Sequence, residues 1–375
     1  MGIKNIIYSL IKKIPSKNII MFESAPDFSD SPMAVFEEMQ KRGFADKYKF
    51  VWWVTDKNKE FKKYPNTVCV DRKNRLNLLE FQKYMFRAKC LISCNAFLTT
   101  ATNYQKSFYI THGTVIKNTG DGYVIPDKID YTLIASESIK DIMSADMKVP
   151  VNKLYGLGYP RNDAMQNTKL DVKELFGNKY DKIMVWYPTF RQHKNGAKTE
   201  SKNALPILSD ALTAEKLNGI AKENNTLIVV KPHFAQDLSY IKNIELTNIK
   251  FIDDDFFLKN NISSYQFVGA CDALITDYSS IYYDFLLTDK PVAAVWEDIE
   301  DYRKNPGFSV DINYYMKGAF KIYTLQDFEK FIRDTAKNID TLKNERAEIN
   351  KLVNYSDDGK NAERVTDFII KEAGL

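Results

Sequence analysis

The stretch "CDALITDYSSIYYDFLLTDKPVAAVW", residues 271–296, holds a whole structural unit. Ala273 to Thr276 is short and apolar, as a strand buried on both faces must be. Asp277-Tyr278-Ser279-Ser280 breaks it, "IYYDFLL" reads as a helix, and "PVAAVW" reads as the next strand. Strand, turn, helix and strand in one short run indicate a parallel sheet with crossover helices.

The same alternation extends outward. Upstream lie "KIMVWYPTF", "TLIVVKPH" and "IKFID"; further back come "NIIMFES", "KFVWWVT", "TVCV", "CLISC", "SFYITHG" and "YTLIAS". The two series are separated by Gly156-Leu157-Gly158-Tyr159-Pro160, punctuated enough to act as a hinge. The expected fold is therefore α/β, with two doubly wound, Rossmann-like domains facing a central cleft. Ligands in such sheets bind outside the carboxyl ends of the strands. The expected boundaries are an N-terminal helix at 1–15, a first domain at 16–158, a second at 159–345 and closing helices at 346–375.

Bulk composition narrows the class. A chain of 375 residues with 44% hydrophobic content is ordered and long enough for two cores. A net charge of +4 is too mild to argue for nucleic acid, but it suits an anionic substrate or membrane surface. Cys69, Cys90, Cys94 and Cys271 sit in apolar segments without the paired spacing of a zinc site, so they read as buried thiols in a reducing, cytoplasmic protein. No run of eighteen apolar residues is present. In "MGIKNIIYSLIKKIPSKN" the isoleucines recur at helical spacing beside Lys4, Lys12 and Lys13. That pattern fits either a basic amphipathic helix in a bilayer interface or a helix packed on its own domain.

The chain has three histidines. His112 ends the strand "SFYITHG" and His233 ends "TLIVVKPH", whereas His193 lies in a polar loop. Two histidines at corresponding strand ends point to chemistry more than either would alone. Ser279 and Ser280, at a helix start, offer amides and hydroxyls to a phosphate, although Asp277 or Ser279 could equally serve as an ordinary cap. Lys231, Arg191, Lys117 and Arg161 follow strand ends or the hinge and could complete a diphosphate pocket. Asp253-Asp254-Asp255 reads as a cap or loop start more than as a metal site, and no metal or cofactor is indicated.

These motifs together resemble the CDP-glycerol glycerophosphotransferase family, the teichoic-acid primases and polymerases of Gram-positive bacteria and their capsule-building relatives. The resemblance runs from about residue 19 to about residue 330. The family's His-Gly-Thr-Pro-Leu-Lys stands here as His112-Gly113-Thr114-Val115-Ile116-Lys117, and Gly-Tyr-Pro-Arg-Asn-Asp is intact at 158–163. Pro-Thr-Phe-Arg is found at 188–191 and Ile-Thr-Asp-Tyr-Ser-Ser at 275–280. Two departures stand out. Val115 replaces a proline, and Lys231-Pro232-His233-Phe234 replaces Arg-x-His-Pro, which exchanges a planar fork for a point charge.

The resemblance implies a GT-B architecture and transfer of an alditol phosphate from CDP-glycerol or CDP-ribitol to a lipid-linked glycan or polyol-phosphate acceptor, releasing CMP. The first domain would take the acceptor and the second the donor. His112 would be the base, with His233 the second catalytic histidine. Lys231, Ser279, Ser280, Asp277, Arg191, Lys117, Gly113, Thr114 and Arg161 would bind substrate. The enzyme would work peripherally at the inner face of the cell membrane. Two other readings keep the fold: a glycosyltransferase using a nucleotide sugar, and a catalytically silent polymer-binding relative.

Overall fold

The structure is a computed structural model that describes residues 14–55, 64–72, 77–118, 120, 124–189, 205–233, 236 and 238–375. It divides into two units, each built on one fully parallel sheet. Most of residues 1–15, the proposed amphipathic helix, lie outside the described residues, as do Arg191 and His193.

The sheet of unit 1 is formed by β1 (Ile19–Glu23), β2 (Lys49–Val54), β3 (Thr67–Asp71), β4 (Cys90–Ser93), β5 (Lys106–Ile110), β6 (Tyr131–Ile134) and β7 (Leu154–Gly156), in the order β3-β2-β1-β4-β5-β6-β7. Helices α1 (Asp30–Lys41), α2 (Leu78–Met85) and α3 (Lys140–Met147) belong to its crossovers. The central strands β1 and β4 are buried along their whole length because both faces are covered. Phe22, Phe36, Phe50 and Trp52 are fully buried and pack ring against ring on one side.

Unit 2 repeats the plan with β8 (Lys182–Trp186), β9 (Thr226–Val230), β10 (Ile249–Phe251), β11 (Ala273–Thr276), β12 (Val292–Val295) and β13 (Phe320–Ile322), ordered β10-β9-β8-β11-β12-β13. Its helices include α4 (Ala211–Glu223), α5 (Asp254–Asn260), α6 (Ser264–Ala270), α7 (Ile281–Phe285), α8 (Leu325–Ala336) and α9 (Lys343–Val353). Met184, Trp186, Ile228, Val230, Ile275, Val295 and Phe328 share its core. In each sheet the order reverses beside the first strand, at β1/β4 and at β8/β11, which opens a crevice at the strand ends.

The division differs from the expected boundaries in three places: the change of unit falls after Asp163 instead of after residue 158, and two further segments cross over. Residues 115–120 belong to unit 2, where Lys117 bridges Phe308 and Ser309 N donates to Ile116 O. The closing helices also separate: α9 stays with unit 2, whereas α10 (Asn361–Ala373) returns to unit 1. The return has a local cause. The Asp163 carboxylate accepts from Asn361 N (2.9 Å), Asn361 Nδ2 (2.8 Å) and Ala362 N (2.7 Å), capping α10, while Phe368 packs against Phe108, Tyr131 and Tyr155. Gly158 has φ +85°, and a Cβ there would fall 1.9 Å from Asn361 Oδ1, so this crossing requires glycine.

Candidate active site

In unit 1 the carboxyl ends of the strands carry an interlocked polar layer. Arg72 follows β3 and donates to Glu23 Oε1 (3.1 Å), at the end of β1. Glu23 Oε2 accepts from Asn95 N and Ala96 N beyond β4. The loop 24–30 is tied to the same layer. Asp27 accepts from Thr55 N and Thr55 Oγ1 (2.6 Å), and Ala25 N donates to Asn95 Oδ1 (2.8 Å).

That loop ends at Asp30, which sequence reasoning missed. Its carboxylate meets His112 Nδ1 at 2.8 Å and accepts from Arg161 Nη1 at 3.0 and 2.9 Å. The same Nη1 donates to the His112 carbonyl oxygen at 2.9 Å. Burial alone would raise the Asp30 carboxyl pKa. The Arg161 charge, the His112 hydrogen bond and charge, and the Ser31 amide together outweigh it and hold the group well below the usual carboxylate range. Asp30 therefore stabilises the fold at neutral pH. That contribution is present above the ordinary carboxyl pKa of about 4 and is lost as pH falls through the lower folded value.

The residues of 158–163 thus face inward. Arg161, expected on substrate, is 5% exposed and committed to Asp30 and His112. The Tyr159 hydroxyl lies 2.8 Å from Thr111 Oγ1, whose own proton goes to Leu133 O. His112, by contrast, has 59% of its side chain exposed. Thr114 is buried, and its hydroxyl has no hydrogen-bond partner among the described residues. Gly113 is half-buried beside it.

Cys94 completes a trio with Asp30 and His112, their ligand atoms lying within 4.8 Å of one another. It is the one such grouping among the described residues. A guanidinium already engages both oxygens of the carboxylate, and burial first, then Asp30 and Glu23, push the Cys94 thiol strongly up. Both features oppose a dication. The other cysteines are also free, with Cys90 and Cys271 buried and Cys69 half-buried.

In unit 2, Asp277 stands at the β8/β11 crevice and binds the two loops together. It accepts from Thr189 N (2.7 Å), Thr189 Oγ1 (2.5 Å) and Tyr278 N (2.6 Å). Asp277 is buried and braces this crevice instead of capping α7. Ser279 and Ser280 are half-buried, and the Ser280 side chain makes no capping hydrogen bond to α7. Lys231 follows β9 and pairs with Asp254 at 3.1 Å. Asp254 is largely exposed, so this pair is weak and exchangeable. Asp253 caps α5 through Phe256 N, as the capping reading of Asp253-Asp254-Asp255 expected. His233 is exposed, and Lys117 is half-buried on its bridge to Phe308.

The profile of the family described as CDP-Glycerol:Poly(glycerophosphate) glycerophosphotransferase matches residues 6–371. The chain belongs to this family. It is accordingly a transferase of the glycerophosphotransferase class. It is 26% identical over 401 residues to the teichoic acid poly(glycerol phosphate) polymerase of Bacillus spizizenii, covering 98% of this chain and 91% of that one. It is 24% identical over 406 residues to the teichoic acid glycerol-phosphate transferase of Staphylococcus aureus, covering 97% and 96%. The fold matches a structure of the wall teichoic acid polymerase TagF with TM-score 0.74 at 22% identity, over 99% of this chain and 96% of that one. The architecture of this glycerophosphotransferase is thus GT-B-like, with two parallel α/β units.

Asp277→Ala removes the acceptor of three hydrogen bonds and is expected to cost about 1.5–3 kcal/mol of stability. Urea unfolding checks this, and an unchanged midpoint would show that Asp277 does not brace the crevice.

Proposed function

We propose that this chain transfers glycerol phosphate from CDP-glycerol to a hydroxyl of a lipid-linked, teichoic-acid-type acceptor. The observation that carries the mechanism is the paired and exposed His112: one ring nitrogen is held by a buried carboxylate, and most of the ring is open. A carboxylate only accepts, so Nδ1 carries the proton and Nε2 of the neutral ring keeps its lone pair. In this reading the acceptor hydroxyl attacks the β-phosphorus and its proton passes to His112 Nε2. A new phosphodiester bond forms, the bond from β-phosphorus to the bridging oxygen breaks, and CMP leaves.

Charge on the donor has to be held while this happens. The Ser279 and Ser280 hydroxyls are available to phosphate oxygens, Lys231 can exchange Asp254 for the diphosphate, and His233 supplies a further donor. Lys117 and Arg191 follow as weaker candidates, and Gly113 and Thr114 shape the turn beside the base. Arg161 and Asp277 act behind these groups as braces. The reading assigns no role to a metal. His112→Ala is expected to lower kcat by roughly 10²–10⁴ with CDP-glycerol affinity retained. His233→Ala is expected to weaken donor binding by roughly 10–100-fold. CMP release and calorimetric titration separate the two, and near-normal turnover of His112→Ala would remove it as base.

A lipid-linked acceptor places the work at the inner face of the cell membrane. No helix among the described residues is long and apolar enough to cross a bilayer. Residues 1–15, basic and apolar at helical spacing, would hold the enzyme at an anionic surface without spanning it. Deleting residues 2–15 is expected to abolish sedimentation with phosphatidylglycerol vesicles; undiminished binding would refute the anchor.

A further inference from the structure

We propose that Asp30 is the positioning residue that sets the tautomer and ring orientation of His112, with Arg161 holding Asp30 to that task. The proposal rests on His112 being the base of the transfer.

Asp30 reaches its place at a local cost. Its φ is +59°, in the left-handed region that a residue with a Cβ seldom occupies. Such a conformation persists where its surroundings over-determine it, and here they do. The loop before Asp30 is fastened to the ends of β2, β3 and β4 through Asp27 with Thr55 and Arg72, and through Ala25 with Asn95. Asp30 then opens α1, and its Oδ1 also accepts from Ser31 N at 2.5 Å.

The result is a carboxylate with 8% of its side chain exposed beneath a histidine with 59% exposed. A buried carboxylate without a partner would be costly, and Arg161 provides the compensating charge. One guanidinium nitrogen, Nη1, reaches both Asp30 and the His112 carbonyl. Ring and backbone of His112 are therefore fixed from a single point. Cys94, the other neighbour, stays a neutral thiol and does not compete for the ring. Nothing in "FSDSP" distinguishes Asp30 from a helix-start aspartate, and only the fold brings it to His112.

D30N tests this directly, because asparagine tolerates the left-handed region. Its single amide oxygen is drawn to Arg161, leaving the NH₂ toward His112. A donor facing Nδ1 drives the ring proton to Nε2, the wrong nitrogen for a base. The expected fall in kcat is roughly 10³–10⁴-fold, as a wrong tautomer produces in a Ser-His-Asp triad. KM for CDP-glycerol should stay within about twofold. The second readout is the ¹⁵N spectrum of histidine-labelled protein, with three histidines in the chain and His112 assigned by difference from H112A. The neutral wild-type ring should carry its proton on Nδ1, and D30N should carry it on Nε2.

An Nε2–H ring in the wild type overturns the proposal, as does full kcat in D30N. A drop in kcat with lower thermal stability and an unchanged tautomer also overturns it, since that is a purely structural effect. The base assignment fails separately: if H112A keeps its turnover, His112 is not the base, while the tautomer readout still decides whether Asp30 holds the ring.

Discussion

A carboxylate buried between a guanidinium and an imidazole is the constraint on which unit 1 is arranged. Removing Arg161 would leave Asp30 as a buried charge without its compensating partner, and the His112 ring depends on that carboxylate for its hydrogen bond. The three arrive from distant parts of the chain: the loop after β1, the end of β5 and the turn after β7. Their meeting therefore depends on the strand order and on the polar layer of Glu23, Asp27, Arg72 and Asn95 that fixes the loop. Stability and chemistry share the same residues, and a change made for one is felt by the other.

Unit 2 solves a related problem with different means. Its crevice is braced by Asp277 through neutral donors from Thr189 and Tyr278. In the proposed reading, Lys231 in place of an arginine fork keeps the charge but not the bidentate geometry, so affinity for the diphosphate would lean more on Ser279, Ser280 and His233.

Much of this was legible in the sequence, for reasons that can be named. Alternating apolar runs and polar breaks exposed both sheets, because parallel strands are buried on two faces and cannot hide their composition. His112 and Asp277 stood out because each ends such a run. Asp30 did not: "SDSP" before an apolar helical pattern reads as an ordinary helix start, and its partners lie 82 and 131 positions away (112 − 30 and 161 − 30). Arg161 was read as a substrate contact from its position after the hinge, since sequence shows that a cation is near a site but not which way it turns. The boundaries slipped for a similar reason. Side chains such as Asp163 and Phe368 fasten α10 to unit 1, and nothing in the composition of 346–375 announces that the chain crosses back.

The central claim is that the groups at these strand ends transfer an alditol phosphate and release CMP. The most direct measurement is ³¹P NMR of the enzyme with a glycerol-phosphate-primed lipid acceptor and equal amounts of CDP-glycerol, CDP-ribitol and a UDP-sugar. The account predicts that CDP-glycerol disappears while CMP and a phosphodiester signal grow in equal amounts, with the UDP-sugar untouched. Consumption of the UDP-sugar with release of UDP would contradict it, and would leave the two parallel sheets serving a glycosyl transfer instead.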